Sequence, residues 1–313
     1  MTLAHWDDVQ GGRPERPGLG GTWRRLGAAA GSVGVGLSRI VLGPGEVSTP
    51  AHSHTSDEEI FFVLAGSGLS WQDGATHEIR AGDCLVHRAR GPAHTLRAGD
   101  GGLDVLAYGN RHPVGGTHLP LVGGYWLAAP NVWLDVSPGE NLFDRAPNLD
   151  WPEPTPRPDS IVDLDSVEGA FGGSVKHLGR AAGATQSGLN WVSLPPGEEG
   201  APPHCHSAEE ELFVILDGDG TLELWSPPRP GDPFQTEPQE THPLRAGHVV
   251  SRPPATRVPH SLRAGDAGLT YLAYGTKDPN DIGYYPRSNR VALRGIGLIA
   301  RVEPLDYFDG EPR

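Results

Sequence analysis

The chain has 313 residues and a formal net charge of −14, because 39 Asp and Glu outnumber 25 Lys and Arg. That length suits two domains of roughly 150 residues each. The acidic balance disfavours nucleic-acid binding, which needs a basic surface, and no apolar run approaches the ~18 residues of a membrane span. Two cysteines make no disulfide framework, and the N-terminus lacks the basic and apolar regions of a signal peptide, so we expect a cytoplasmic protein.

Glycine and proline, 44 and 31 in number, are scattered between short apolar runs. Runs rich in β-branched and aromatic residues, such as 60–64 and 212–216, predict short strands joined by tight turns. Convincing helical periodicity is scarce. Each half of the chain is therefore predicted to be an all-β barrel or jelly roll.

The first segment with metal-binding chemistry is His52-Ser-His54. Residues two apart face opposite sides of a helix but share one face of a strand, where two imidazoles can converge on one ion. Glu59 can add a carboxylate from the start of the next strand, whereas Glu58 should point the other way. His94 would complete a four-residue metal site from a distant strand.

Alternating prolines at 149–160 predict a stiff, extended linker. We therefore place an N-terminal domain at 1–150 and a C-terminal domain at 151–313. The second domain repeats the first. The segment HTLRAGDGGLDVLAYG, which begins at His94, recurs as HSLRAGDAGLTYLAYG, which begins at His260. Extra residues of the second copy fall in a Pro-rich stretch, 226–239, predicted to be a long surface turn.

The repeat also contains a second set of candidate metal ligands, namely His204, His206, Glu211 and His260. Alone, a His-x-His pair more often lies on the surface without binding a metal, and two carboxylates before a strand usually form a solvated turn. Because the same set occurs twice in the same order, one divalent transition metal per domain is the favoured hypothesis. Three imidazoles and one carboxylate suit Fe, Mn, Ni, Cu or Zn, and ligand type does not choose among them.

These residues resemble the two signature motifs of the cupin superfamily. The matching patterns are Gly45…His52-x-His54-x4-Glu59-x6-Gly66 with Gly82…Gly91-x2-His94, and Gly197…His204-x-His206-x4-Glu211-x6-Gly218 with Gly247…His260. The resemblance covers roughly 45–110 and 195–275. It implies a bicupin, two tandem double-stranded β-helix barrels, each with a metal at its open mouth. Positions around the last histidine depart from the family pattern, as at Ala89, Ala98, Ala255, Arg257 and Ala264, but no ligand is affected.

Bicupins with such ligand sets in both halves resemble quercetin dioxygenases and oxalate decarboxylases. The resemblance implies a metal-dependent enzyme, with a dioxygenase-type oxidoreductase as the first hypothesis. Glu59 and Glu211 would then be catalytic proton acceptors as well as metal ligands. Oxalate-acting relatives carry an arginine where this chain has Thr49 and Ala201, so a more hydrophobic small molecule, aromatic or carbonyl-containing, is the expected substrate.

Other interpretations stay open, because a fold does not determine a function. A non-redox metal-dependent isomerase or hydrolase is one alternative, and a non-catalytic small-ligand-binding cupin is another. Homo-oligomer formation is compatible with all three.

The sequence also predicts where several further residues lie. Cys205 should point away from the metal and Cys84 into the core. Phe61 and Phe213 share the face of the glutamates, where they could line a pocket or belong to ordinary core. Histidines without a chelating pattern are expected on the surface or in loops, namely His77, His87, His112, His118, His177, His242 and His248.

Overall fold

The structure is a computed structural model that describes residues 3–14, 18–113, 115–127, 132–135, 148–226 and 237–311. Most of the insertion predicted as a surface turn lies outside these residues. Two short α-helices occur in the described part, α1 (Leu26–Ala29) and α2 (Leu178–Ala181), at equivalent places in the two halves. None of the described helices is both long enough and apolar enough to cross a membrane.

Strands account for most of the remaining regular structure. Those of the first half are β1 (Leu3–His5), β2 (Thr22–Arg24), β3 (Val35–Leu42), β4 (Ser53–His54), β5 (Glu59–Gln72), β6 (Ala75–Arg80), β7 (Asp83–His87), β8 (His94–Asn110), β9 (Gly116–Leu119), β10 (Gly124–Leu127) and β11 (Val132–Asp135). Those of the second half are β12 (Ile161–Asp163), β13 (Gly169–Ala170), β14 (Val175–Lys176), β15 (Ser187–Leu194), β16 (Cys205–His206), β17 (Glu211–Leu224), β18 (Glu240–Arg245), β19 (His248–Arg252), β20 (His260–Thr276), β21 (Ile282–Tyr285), β22 (Arg290–Leu293) and β23 (Leu298–Arg301).

The strands form two barrels, each made of one large and one small sheet. The first barrel combines the order β12-β7-β5-β8-β3-β2, with β6 beside β5, and the order β11-β10-β9-β4. The second combines β1-β19-β17-β20-β15-β14-β13, with β18 beside β17, and β16-β21-β22-β23. The internal repeat therefore extends to topology, and the predicted all-β, two-barrel fold is confirmed.

Alternation along β5 and β17 turns the glutamates and the phenylalanines that follow them into the barrels. Both strands contain register shifts next to a glycine with positive φ, Gly66 at 81° and Gly218 at 80°. A Cβ on Gly66 would lie 2.2 Å from the Gly102 carbonyl oxygen, so only glycine fits this close approach of two strands. The last glycine of the first motif is thus explained by backbone packing.

The two large sheets exchange edge strands. Strand β1 pairs with β19 of the second barrel, with Leu3 opposite Val250, and β12 pairs with β7 of the first, with Ile161 opposite Leu85. Each exchanged strand covers a sheet edge that would otherwise expose unpaired backbone groups. The division of the sequence at 150/151 stays a prediction, but each barrel takes an edge strand from across it.

A hydrophobic cluster joins the barrels, in addition to one core inside each. At its centre the rings of Tyr108 and Tyr274 stack with centroids 4.9 Å apart. Two buried carboxylates bond across the same interface. Glu58 accepts hydrogen bonds from the 185–187 segment, and Glu210 accepts them from the backbone amides of Val33 and Gly34.

Candidate metal centres

The first barrel brings all four of its predicted ligands together. The ligand atoms of His52, His54, Glu59 and His94 all lie within 4.8 Å of one another. From Glu59 Oε2 the distances are 3.0 Å to His94 Nε2, 3.5 Å to His54 Nε2 and 3.9 Å to His52 Nε2. This spread suits four donors around one point.

Backbone pairing explains why residues far apart in sequence converge. His52 and His94 exchange backbone hydrogen bonds in both directions, N to O distances of 3.2 and 2.8 Å. In the antiparallel β5–β8 ladder Glu59 is opposite Gly109 and His94 is opposite Gln72, so these two ligands are not cross-strand neighbours. Their side chains nevertheless meet, with Glu59 Oε2 3.0 Å from His94 Nε2.

The second barrel repeats this arrangement with one difference. Glu211 Oε2 lies 3.1 Å from His260 Nε2, 3.5 Å from His204 Nε2 and 3.6 Å from His206 Nε2. His204, Glu211 and His260 form one compact group, but His206 groups more tightly with Glu209 and Asp281. His206 therefore faces the cluster with Nε2 and a second carboxylate with Nδ1.

That second carboxylate belongs to Asp281, which is 2% exposed. His206 Nδ1 donates to Asp281 Oδ2 at 2.7 Å, while the other carboxylate oxygen accepts from the backbone amides of Ala208 and Glu209. Such a carboxylate–histidine pair fixes the tautomer that leaves Nε2 free for a metal. In the first barrel the described residues give His54 Nδ1 no carboxylate partner, and its partner is the Thr117 hydroxyl, at 3.4 Å. Sequence reasoning missed Asp281, since its first-copy equivalent is Gly115.

Replacing Asp281 with asparagine is expected to weaken metal binding in the second barrel about 10- to 100-fold, since His206 loses its charged partner. Metal binding in the first barrel should not change. Competition titration with a chromophoric chelator measures both affinities. The matched control is Thr117→Val, which should affect only the first barrel. Equal weakening of both centres by Asp281→Asn would contradict the assignment.

The donor atoms and their surroundings fit a divalent cation. His54 Nε2, Glu211 Oε2 and His260 Nε2 are buried without a hydrogen-bond partner of good geometry. Burial lowers the pKa of His52 to about 3 and that of His260 to about 4, so both imidazoles are neutral at pH 7 with a lone pair to offer. Burial acts to raise the pKa of Glu59, but its hydrogen bonds to His54 and His94 hold that pKa well below the usual value.

One histidine expected on the surface lies directly behind the first cluster. His87 is 3% exposed, and its ring stacks on that of His94, with centroids 3.7 Å apart and planes 5° apart. Cross-strand register places Arg252 at the equivalent position of the second barrel, opposite Glu211 as His87 is opposite Glu59. The expectation for His87 was wrong because β7 is buried along its whole length. The strand alternation that assigned Glu59 to the interior would have found it.

The structure also locates two other histidines and the two cysteines. His77 is also buried, at 7% exposed, and His177 lines a cavity beside the second cluster. Cys84 is buried, and Cys205 belongs to neither cluster. Burial raises the pKa of Cys205 to about 11, so it remains a thiol.

Residues of each cluster line a cavity. The first cavity measures about 200 Å³ and is lined by Phe61 and by Trp23, Trp126 and Trp133. The second measures about 580 Å³, and its apolar lining includes Phe213, Val175, Val192 and Leu194. Among the described residues, neither lining contains an arginine or a lysine.

Comparison with known proteins agrees with this architecture. The Cupin domain family model matches residues 38–107. No curated protein matches the sequence significantly. Among solved structures, the Lactobacillus farciminis oxalate decarboxylase formate complex has a TM-score of 0.58 and 16% identity over 88% of this chain and 86% of that one. Bacillus subtilis oxalate decarboxylase at pH 4.6 has a TM-score of 0.58 and 16% identity over 89% and 76%.

A further structure of the Bacillus subtilis enzyme, from work on its Mn(II) centres, has a TM-score of 0.57 and 15% identity over 89% of this chain and 78% of that one. At such identity the likeness establishes the fold alone. The match at residues 38–107, the repeated topology and the likeness to these structures together show a fold of two tandem cupin-type barrels, each with a candidate metal centre.

Proposed function

We propose that the protein is an enzyme that holds one divalent transition metal in each barrel and performs dioxygenase-type oxidation of a small organic substrate. The observation that supports it is a histidine–glutamate cluster in the lining of each cavity. Three imidazoles and one carboxylate occupy four positions, which leaves room on a five- or six-coordinate ion for small molecules. When bound, a redox-active metal would supply a Lewis acid and the means to engage dioxygen.

The protein's own residues have distinct tasks in this proposal. The histidines hold the cation, and Glu59 and Glu211 offset one of its charges. These carboxylates are also within reach of a substrate proton, so each is the proposed proton acceptor of its site. Phe61 and Phe213 exclude water from the reacting groups. In the carbon–carbon-cleaving type of dioxygenation proposed here, the substrate itself supplies the four electrons that reduce dioxygen, and both oxygen atoms enter the product, so no external reductant is needed.

Charge in the cavities argues for a neutral substrate. Oxalate is a dianion, and its recognition requires positive charge near the metal. The described linings offer no arginine or lysine, and Glu198 lies at the wall of the second cavity, whereas the charge of Glu199 there is offset by Arg263 and Arg287. Thr49 and Ala201 stand where oxalate-acting relatives carry arginine. The likeness to oxalate decarboxylases is therefore proposed to reflect shared fold and metal chemistry, with a different substrate.

Purified full-length protein tests the proposal. We expect iron, manganese, nickel or copper by elemental analysis, and dioxygen uptake with catechol or pentane-2,4-dione but no consumption of oxalate. Conversion of oxalate to formate and carbon dioxide would contradict the substrate assignment. Zinc without dioxygen uptake would favour an isomerase or hydrolase, and the absence of any bound metal would favour a ligand-binding protein.

A further inference from the structure

The two cavities differ at positions that the internal repeat makes equivalent. In the first barrel Trp23 pairs with Ile40, and in the second Val175 pairs with Val192 at the same place. Trp23 lines both the inner cavity and a groove of about 470 Å³ outside it. The indole thus separates the inner cavity from this groove. Where valine replaces it, a single cavity of about 580 Å³ reaches the histidine–glutamate cluster.

A second difference places a hydroxyl in the larger cavity. Tyr271 pairs with Val192 on the cavity wall, whereas Val105 pairs with Ile40 at the equivalent place in the first barrel. A Cβ on Gly200 would lie 2.7 Å from the Tyr271 hydroxyl oxygen. The first barrel has Ser48 where the second has Gly200. The second barrel has therefore exchanged a serine and a valine for a glycine and a tyrosine whose hydroxyl needs that space.

The Tyr271 hydroxyl has no hydrogen-bond partner among the described residues. The residue is 4% exposed and lines the cavity. Unlike the Tyr108 hydroxyl, its oxygen is not fully enclosed, so a molecule in the cavity can bond to it. Burial raises the pKa of Tyr271, with the charge of Glu211 adding to the effect, so the hydroxyl keeps its proton.

Two other polar groups at this wall already have partners. The Ser261 hydroxyl donates to Glu223 at 3.0 Å. The side-chain oxygen of Asn190 accepts from His177 Nδ1 at 2.8 Å. Apart from its glutamates and histidines, much of the remaining wall is apolar, with Val175, Leu194 and Phe213 among its residues. This is the composition of a ligand pocket, in which a few polar groups orient a largely apolar molecule.

We propose that the second cavity binds a ring-sized, uncharged organic substrate, and that Tyr271 donates a hydrogen bond to an oxygen atom of it. The volume of the second cavity lies within the ~300–1,000 Å³ usual for small-molecule pockets, and that of the first lies below it. The first barrel, with Trp23 and Val105, admits smaller molecules only. The substrate role rests on the function proposed above, whereas the binding role stands on the cavity itself.

Calorimetric titration with catechol tests the proposal on both metal-loaded and metal-free protein. Tyr271→Phe keeps the ring and removes the hydroxyl, so we expect catechol affinity to fall about 3- to 10-fold, the change for one neutral hydrogen bond. The matched control is Tyr125→Phe, at a tyrosine that lines neither cavity, and it should bind as the wild type does. Metal content and melting temperature should be unchanged in both variants.

Exchange variants locate the binding site. Val175→Trp gives the second barrel an indole at the place of Trp23, and we expect it to abolish catechol binding. Trp23→Val opens the first barrel and should add a second, weaker binding event without the Tyr271 contribution. Wild-type protein that does not bind catechol, or a Tyr271→Phe variant that binds it equally well, would overturn the inference.

The outcomes separate this inference from the proposed function. Catechol binding that depends on Tyr271 but yields no dioxygen uptake would support the binding site and contradict the enzyme. Dioxygen uptake with an unchanged KM in Tyr271→Phe would support the enzyme and overturn the role of Tyr271.

Discussion

Replacing His94 with alanine is expected to lower the metal content from about two ions per chain to about one, because the first barrel loses one of four ligands. His94 is 2% exposed, and its Nε2 is 3.0 Å from Glu59 Oε2. Without it, the buried carboxylate and the two remaining imidazoles no longer enclose a cation. We expect the affinity of that centre to fall by more than about 100-fold, beyond the loss typical of an outer-sphere change.

The equivalent variant, His260→Ala, should empty only the second barrel, so the two variants report on separate sites. Elemental analysis after dialysis against a weak chelator measures the stoichiometry. The matched control is His112→Ala, which removes a histidine that pairs with Asp57 and belongs to neither cluster. Retention of both ions by His94→Ala would show that this residue is not a ligand.

Replacing Glu58 with alanine is expected to destabilise the protein by about 3–5 kcal/mol, the cost of breaking a buried, hydrogen-bonded charge. Its carboxylate is fully buried. It accepts from the backbone amides of Thr185, Gln186 and Ser187 at 2.7 to 3.2 Å and from the Ser187 hydroxyl at 2.6 Å. Alanine would leave these donors of the second half without their acceptor.

Urea unfolding followed by tryptophan fluorescence measures the change as a shift in the midpoint of the first transition. Glu58→Gln keeps the shape and one acceptor oxygen, so it should lose less than alanine does. Glu78→Ala, at an exposed position of β6, should stay within about 0.5 kcal/mol of the wild type. Metal content must be measured in parallel, since Glu59 is adjacent. An unchanged midpoint for Glu58→Ala would contradict the proposed role of this carboxylate in joining the barrels.

Local geometry explains how much of the candidate sites could be predicted from sequence. The period of two along a strand determines that His52 and His54 share a face and that Glu59 and Glu58 do not. The structure places Glu59 inside the barrel and Glu58 at the interface accordingly. The repeated motif predicts the second barrel and its candidate ligands, because two copies of one pattern fold into two copies of one barrel.

Partners from distant segments could not be predicted in the same way. The position of Asp281 against His206 depends on β21 returning to pair with β16. The exchange of edge strands and the hydrogen bonds of Glu58 to the 185–187 segment could not be predicted either, since both depend on how the two barrels dock. His87 is a different case, because it was assigned to the surface for lack of a chelating motif, although strand alternation would have placed it in the interior.

By itself the sequence determined the all-β repeat and the two barrels and predicted the two candidate ligand sets, because strand alternation and motif spacing are local properties of the chain. Only the tertiary structure decided what surrounds each ligand set, because packing between segments far apart in sequence sets the shape and polarity of a cavity. The contrast between Trp23 with Val105 and Val175 with Tyr271 makes the point. These residues are unremarkable in the sequence, yet on paired strands Trp23 divides one cavity, while Val175 leaves the other open and Tyr271 adds a hydroxyl to its wall.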